Sequence, residues 1–156
     1  MIEKNTIVES ILINAPFEMV SGFASDNQNW CSWNPNYSDF HYLSGAGEVG
    51  SKYEANLSVA GLVYDNISEI RNIEKDQDEY RCEETFYSKN LADPNDISTG
   101  YVIETIRRAP VGTSVTLEHH FDGDHENRLA LELVDNSMVF GLNNLKSMME
   151  IPPDHF

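Results

Sequence analysis

From residue 52 to residue 59 the chain alternates: Tyr53, Ala55, Leu57 and Val59 are apolar, while Lys52, Glu54, Asn56 and Ser58 are polar. A strand with one buried face has this period of two. Residues 79 to 86 show it again, with Tyr80, Cys82, Glu84 and Phe86 set against Arg81, Glu83 and Thr85. The β-branched run from Thr6 to Ile13 predicts a first strand. Residues 39 to 43 form a weaker one, and residues 62 to 70 a strand whose blurred alternation predicts a bulge. The pattern changes only near the C-terminus. There Leu131, Val134, Met138, Leu142, Leu145 and Met149 step by three or four, which predicts an amphipathic helix from about Asn127 to Glu150, ended by Ile151-Pro152-Pro153.

Between these elements lie the breakers. Asn14-Ala15-Pro16 stops the first strand, and Pro16 suits the first turn of a helix because its missing N–H is not needed there. Phe17, Val20 and Phe23 recur at helical spacing, and residues 25 to 36 predict a short second helix or an ordered loop. Ala60-Gly61 marks a turn, and the polar stretch from 88 to 99 predicts a mobile loop. Residues 101 to 108 and 113 to 121 form a hairpin pair around Ala109-Pro110-Val111-Gly112. Read as a three-residue loop closed by a left-handed Gly, that turn sets Thr105 opposite Leu117 and Ile103 opposite His119. Tyr101, Ile103, Leu117, His119 and Phe121 then share one face, whereas a slip of one residue puts Glu104 there instead.

Strands in runs with segregated helices indicate an α+β fold on an antiparallel sheet. The order is a strand, two short helices, six further strands and one long helix, seven strands in all. With 156 residues and no repeats or linker, a single domain spanning 1–156 is expected. The charge is unusual: 26 Asp and Glu against 10 Lys and Arg, a net of -16. A field of that sign repels phosphate backbones, so nucleic acid is not an expected partner. No stretch approaches the roughly 20 apolar residues of a membrane span, and the N-terminus lacks a basic region followed by an apolar one. A cytoplasmic protein is expected. Cys31 and Cys82, without CxxC spacing, are expected to be reduced.

Several segments together resemble the polyketide cyclase/dehydrase-like members of the START/SRPBCC superfamily. They are Ile13-Asn14-Ala15-Pro16, Val20 and Trp33, then Gly45-Ala46-Gly47-Glu48-Val49-Gly50-Ser51. Gly112-Thr113-Ser114-Val115-Thr116 and Leu142-Asn143-Asn144-Leu145-Lys146, with Glu150 a turn later, complete the set. The resemblance covers essentially the whole chain. It implies a helix-grip fold, with seven curved antiparallel strands around the last helix and a deep cavity for lipids, polyketides or other apolar molecules. That scaffold serves carriers, sensors, cyclases and chaperone regulators, so it does not by itself fix an activity.

The glycine segment at 45–51 opens onto a strand rather than a helix N-terminus, which makes it a turn and not a phosphate cradle. His119 and His120 are adjacent on a strand and face opposite ways, so they cannot share a metal ion. Asp122, Asp124 and His125 suit turn and cap contacts better than ligation. No metal site, no cofactor and no nucleophilic triad is implied. Glu84 shares the inward face of Tyr80, Cys82 and Phe86. It is either a buried carboxyl with a raised pKa or one that a bulge returns to solvent or to a basic partner. His119 is either a polar group for a ligand or a satisfied core residue.

The expected cavity wall comprises Trp30, Tyr53, Tyr80, Cys82, Glu84, Phe86, Tyr101, Ile103, Leu117, His119, Phe121, Met138 and Leu142, with Trp33 as an anchor. The leading expectation is a binding protein for a small hydrophobic molecule. One alternative is an enzyme resembling polyketide aromatase/cyclases, with Glu84, His119 and Tyr101 as acid–base groups. The other is an interaction module like the superfamily's chaperone regulators.

Overall fold

The computed structural model describes residues 1–123 and 128–150, and the side chains of all of these except 128 and 129. Eight antiparallel strands form one sheet: β1 (Ile2–Glu3), β2 (Thr6–Ile13), β3 (Tyr37–Ser44), β4 (Lys52–Val59), β5 (Leu62–Lys75), β6 (Glu79–Asn90), β7 (Ile97–Arg108) and β8 (Thr113–Phe121). Their spatial order is β1-β2-β8-β7-β6-β5-β4-β3. Two short helices, α1 (Phe17–Ala24) and α2 (Trp30–Trp33), separate β2 from β3, and α3 (Arg128–Met149) closes the described chain. The architecture is α+β and fits a helix-grip fold. The expected strand count was seven. The eighth is the two-residue β1, which doubles back through Lys4 and Asn5 to pair Ile2 with Ile7.

At 22 residues, α3 is about 33 Å long. Its apolar stripe packs chiefly along β2 and also meets α2, with Leu131, Leu142 and Leu145 at most 2% exposed. The helix end is tied to the β2–α1 junction, where Lys146 Nζ donates to the Leu12 carbonyl at 3.0 Å and Glu150 accepts the Asn14 N–H. The helix start near Asn127 and its stop at Ile151-Pro152-Pro153 lie outside the described residues. Pro16 takes the N-cap position with extended backbone rather than the first helical turn, so α1 begins one residue later than expected.

The blurred alternation of β5 is a bulge at Arg71, which lets Ile70 and Ile73 both face inward against Glu84 and Cys82. The stretch from 88 to 99 is not a long loop. β6 continues to Asn90 and β7 starts at Ile97, while Asn90 and Tyr64 both donate to Asp96 Oδ2 at 3.1 Å. Side-chain hydrogen bonds thus tie polar residues into a ladder extension that an apolar pattern could not reveal. In the glycine turn, Gly45 has φ 76° and lies so close to Ser51 that a Cβ would come within 2.2 Å of its hydroxyl, which makes the segment the structural turn expected.

The β7–β8 hairpin departs from the expected register by one residue. Ala109 to Gly112 form a four-residue loop, and Arg108, not Ala109, lies opposite Thr113. Glu104 therefore faces Leu117 and Val102 faces His119. Two anchors select this face. Ile106, 0% exposed, joins the core beside α1. Arg108 sits 5.1 Å from the Phe17 ring centre and donates to Asp78 and Glu18.

Candidate functional site

The inner face of the sheet divides into two packed regions. Ile7, Ile13, Val20, Ile106, Val115, Leu142 and Leu145 form a dense apolar core where α1 and α3 meet β2, β7 and β8. Tyr53, Ile70 and Cys82 form a smaller cluster toward β4–β6, joined by Trp30, Phe40, Tyr42 and Tyr80. Between them lies a partly enclosed cavity of about 80 Å³. It is small beside the roughly 300–1,000 Å³ typical of pockets for drug-sized ligands.

Nine of the expected residues line it: Trp30, Tyr53, Tyr80, Cys82, Glu84, Phe86, Leu117, His119 and Met138. Four do not. Phe121 and Leu142 face inward but belong to the packing behind the wall. Tyr101 and Ile103 lie on the opposite face, because the hairpin register is shifted. Tyr101 stacks on His120 there, ring centres 4.3 Å apart, and Ile103 is buried between its ladder partners Glu83 and Glu118. Tyr101 is thereby removed as an acid–base candidate for the cavity.

In their place the shift brings Val102 and Glu104 into the wall. Sequence reasoning also missed Ala24, Asn27, Asn34, Tyr37, Asn66 and Ser68, and it favoured an anchoring role for Trp33 over a capping one. Trp33 does both, being 1% exposed as well as part of the lining. Asn66 and Ser68 could have been found, since they share the inward parity of Ile70. Their side chains bond to each other at 3.1 Å, and Asn66 accepts from Ser88 at 2.8 Å.

Of the two readings given above, Glu84 matches the carboxyl that faces the cavity with a raised pKa, and no basic residue among the described ones reaches it. Its oxygens accept hydrogen bonds from the Tyr53 hydroxyl and, at 3.7 Å, from the Cys82 thiol. Burial raises its pKa, and the two donors hold back part of that rise. Glu104 lies on the neighbouring strand. Because Cys82 pairs with Glu104 and Glu84 with Val102, the two carboxyls are diagonal neighbours on one face, roughly 7 Å apart at the backbone. Burial, and then the charge of Glu84, push Glu104 up to about 8. No hydrogen-bond donor or basic residue among the described ones satisfies it.

The wall phenols and the thiol are neutral donors. Burial drives the phenols of Tyr37, Tyr53 and Tyr80 and the Cys82 thiol well above their ordinary ranges. Chemically, the arrangement is an aromatic-walled cavity holding two carboxyls whose pKa values are raised, of which Glu104 keeps its proton near neutral pH.

His119 lies parallel to Phe121 at 4.5 Å and edge-on to Phe86 at 4.6 Å, while His120 faces away and meets Thr6 Oγ1 at 3.2 Å. The two imidazoles therefore point to opposite faces, as expected. Asp122 accepts from Thr99 Oγ1 at 2.9 Å in a turn contact. Asp124 and His125 lie outside the described residues. Among the described residues no group of three or more His, Cys, Asp or Glu side chains is placed to hold a metal ion. Both cysteines are free thiols, and no described helix is long and apolar enough to cross a membrane.

No protein-family model and no curated protein matches the sequence. Solved structures do match in shape. A protein of Helicobacter pylori aligns over 94% of this chain and 89% of its own, with a TM-score of 0.74 at 12% identity. A START superfamily protein from Mycobacterium smegmatis aligns over 93% and 97% of the two chains, with a TM-score of 0.68 at 10% identity. Ara h 8.0201 aligns over 94% and 98%, with a TM-score of 0.65 at 11% identity. Together with the eight-stranded sheet closed by α3, these likenesses give the chain the START/SRPBCC fold.

Proposed function

We propose that this protein binds a small, largely apolar molecule in the cavity between the sheet and α3. The observation that carries the reading is the wall itself. Trp30, Tyr37, Tyr53, Tyr80, Phe86 and Met138 surround a space that the dense core beside it does not fill. The similarity in shape to a START superfamily protein supports the same reading. A volume of about 80 Å³ is smaller than the roughly 150 Å³ that admits a benzene ring, so it suits the head of a ligand, or one ring once the wall shifts, better than a whole acyl chain or sterol. Met138 supplies a side chain that can adapt to the guest. A cytoplasmic location goes with this reading, supported by the two free thiols.

Trp30 reports occupancy, since its ring is 3.9 Å from Tyr37 and lines the cavity. Titrating one-ring and two-ring apolar compounds should change tryptophan fluorescence and raise the melting temperature, with long-chain fatty acids weaker. No response to any apolar compound would remove the reading.

A second reading is favoured by the carboxyl pair. Glu84 and Glu104 could pass a proton to and from a bound substrate, with Glu104 protonated near neutral pH. Loss of turnover at saturating ligand in Glu104→Gln would distinguish an enzyme from a carrier.

A further inference from the structure

Two carboxyl groups share one small cavity, and none of the residues lining it is Lys or Arg. Bringing an acid into such a place costs free energy unless something there compensates it. For Glu84 the compensation is visible, in the hydrogen bonds from Tyr53 and Cys82. For Glu104 there is none among the described residues, although it lines the same space. Around the pair stand Trp30, Tyr37, Tyr53 and Tyr80, which line the same space, and an aromatic ring attracts a cation brought against its face. Trp30 and Tyr53 meet nearly at right angles, 77°, with centres 5.9 Å apart, so the walls close on the space from two directions.

We propose that the guest is an organic amine, bound as its ammonium ion between Glu84 and Glu104 and against the faces of Trp30 and the tyrosines. This deepens the proposed function and rests on it. An ammonium group carries several N–H donors, enough to engage both carboxylates at the diagonal spacing of their strands. The aromatic faces supply the remaining stabilisation that a desolvated cation requires. A neutral ligand of the same shape would bring no countercharge to the carboxyl pair, and an anionic one would add negative charge beside it. The net charge of -16 draws cations toward the protein from a distance as well.

Binding is coupled to protonation. Free Glu104 holds its proton up to about pH 8, and an arriving ammonium favours the carboxylate, so binding near pH 7 releases a proton. The titratable groups facing Glu104 are Glu84, Cys82 and Tyr80 from β6, Tyr37 from β3, Tyr53 from β4 and His119 from β8. The lining residues from α1 to α3 are Ala24, Asn27, Trp30, Trp33, Asn34 and Met138, none of which titrates in this range.

The test uses three probes of one shape: 2-phenylethylamine, 2-phenylethanol and 3-phenylpropanoate. Each is titrated into the full chain by calorimetry and by tryptophan fluorescence. The amine should bind at least tenfold more tightly than the alcohol, tighten between pH 6 and pH 8, and release protons to the buffer at pH 7. Glu104→Gln should cost the amine about tenfold and leave the alcohol unchanged, with melting measured to confirm that the variant folds. Equal or tighter binding of the alcohol or the carboxylate would overturn the amine assignment and leave the cavity as a ligand site. No response to any of the three would overturn the assignment and the proposed function together.

Discussion

The two halves of the inner sheet face are built to different rules. Beside α1 and α3, Ile7, Ile13, Val20, Ile106, Val115 and Leu145 are all 0% exposed, and the space is filled by aliphatic side chains. Across β4 to β7 the same sheet presents Tyr53, Asn66, Ser68, Glu84 and Glu104 to a space that remains partly open. A dense apolar half holds the long helix in place and fixes the fold. The polar, aromatic half contributes less to cohesion and contains the chemistry, a separation expected where function tolerates groups that a core would reject.

The largest effect should come from damaging the first half. Leu145→Ala removes a fully buried side chain at the α3–sheet interface and should cost about 2–5 kcal/mol, read from the denaturant midpoint. Loss of under 1 kcal/mol would mean that α3 is not the clamp described.

A smaller effect should mark the second half, and its sign depends on pH. Glu104 has a folded pKa of about 8 against an ordinary 4.5, so the folded state holds a proton that the unfolded state has already lost. Its burial is harmless below about pH 4.5. The penalty grows as pH rises from there and is complete above about pH 8, with a slope of about 1.4 kcal/mol per pH unit at most. Glu84, also raised, acts in the same direction. Glu150 is held low by Lys146 and acts only below the ordinary carboxylate range. Glu104→Gln should therefore flatten the decline in stability between pH 5 and pH 8 and make the protein more stable at pH 8. An unchanged slope would contradict the buried position of Glu104.

The smallest effect should come from the outer face. Tyr101→Phe alters a ring stacked on His120, away from the cavity, and should leave ligand affinity unchanged within twofold. A loss of tenfold in a binding titration would restore the other hairpin register.

That hairpin also shows how far the sequence could be read. β4 was legible because only one of its parities is apolar, Tyr53, Ala55 and Leu57 against Glu54, Asn56 and Ser58. β6 revealed Glu84 for the same reason. In β7 the odd residues Tyr101, Ile103 and Thr105 and the even residues Val102, Glu104 and Ile106 are equally convincing inner faces, so the register rested on the turn. Four loop residues rather than three exchanged Tyr101 and Ile103 for Val102 and Glu104. What selects the true register is the packing of Ile106 beside α1 and of Arg108 over Phe17, contacts distant in sequence that no local pattern encodes. Asn66 and Ser68 share the inward parity of Ile70 and were legible on that ground alone, whereas Tyr37, at the start of a weakly patterned strand, carried no such signal.

The methionines allow the most direct test of where a ligand binds. Met138 lines the cavity, whereas Met19 is 45% exposed on α1. With methyl-labelled methionine, an NMR titration with the best-binding one-ring compound should move the Met138 methyl resonance at low ligand concentration. The Met19 resonance should stay where it is. Movement of Met19 with Met138 unchanged would place binding on the outside of the protein and contradict the cavity as its functional site.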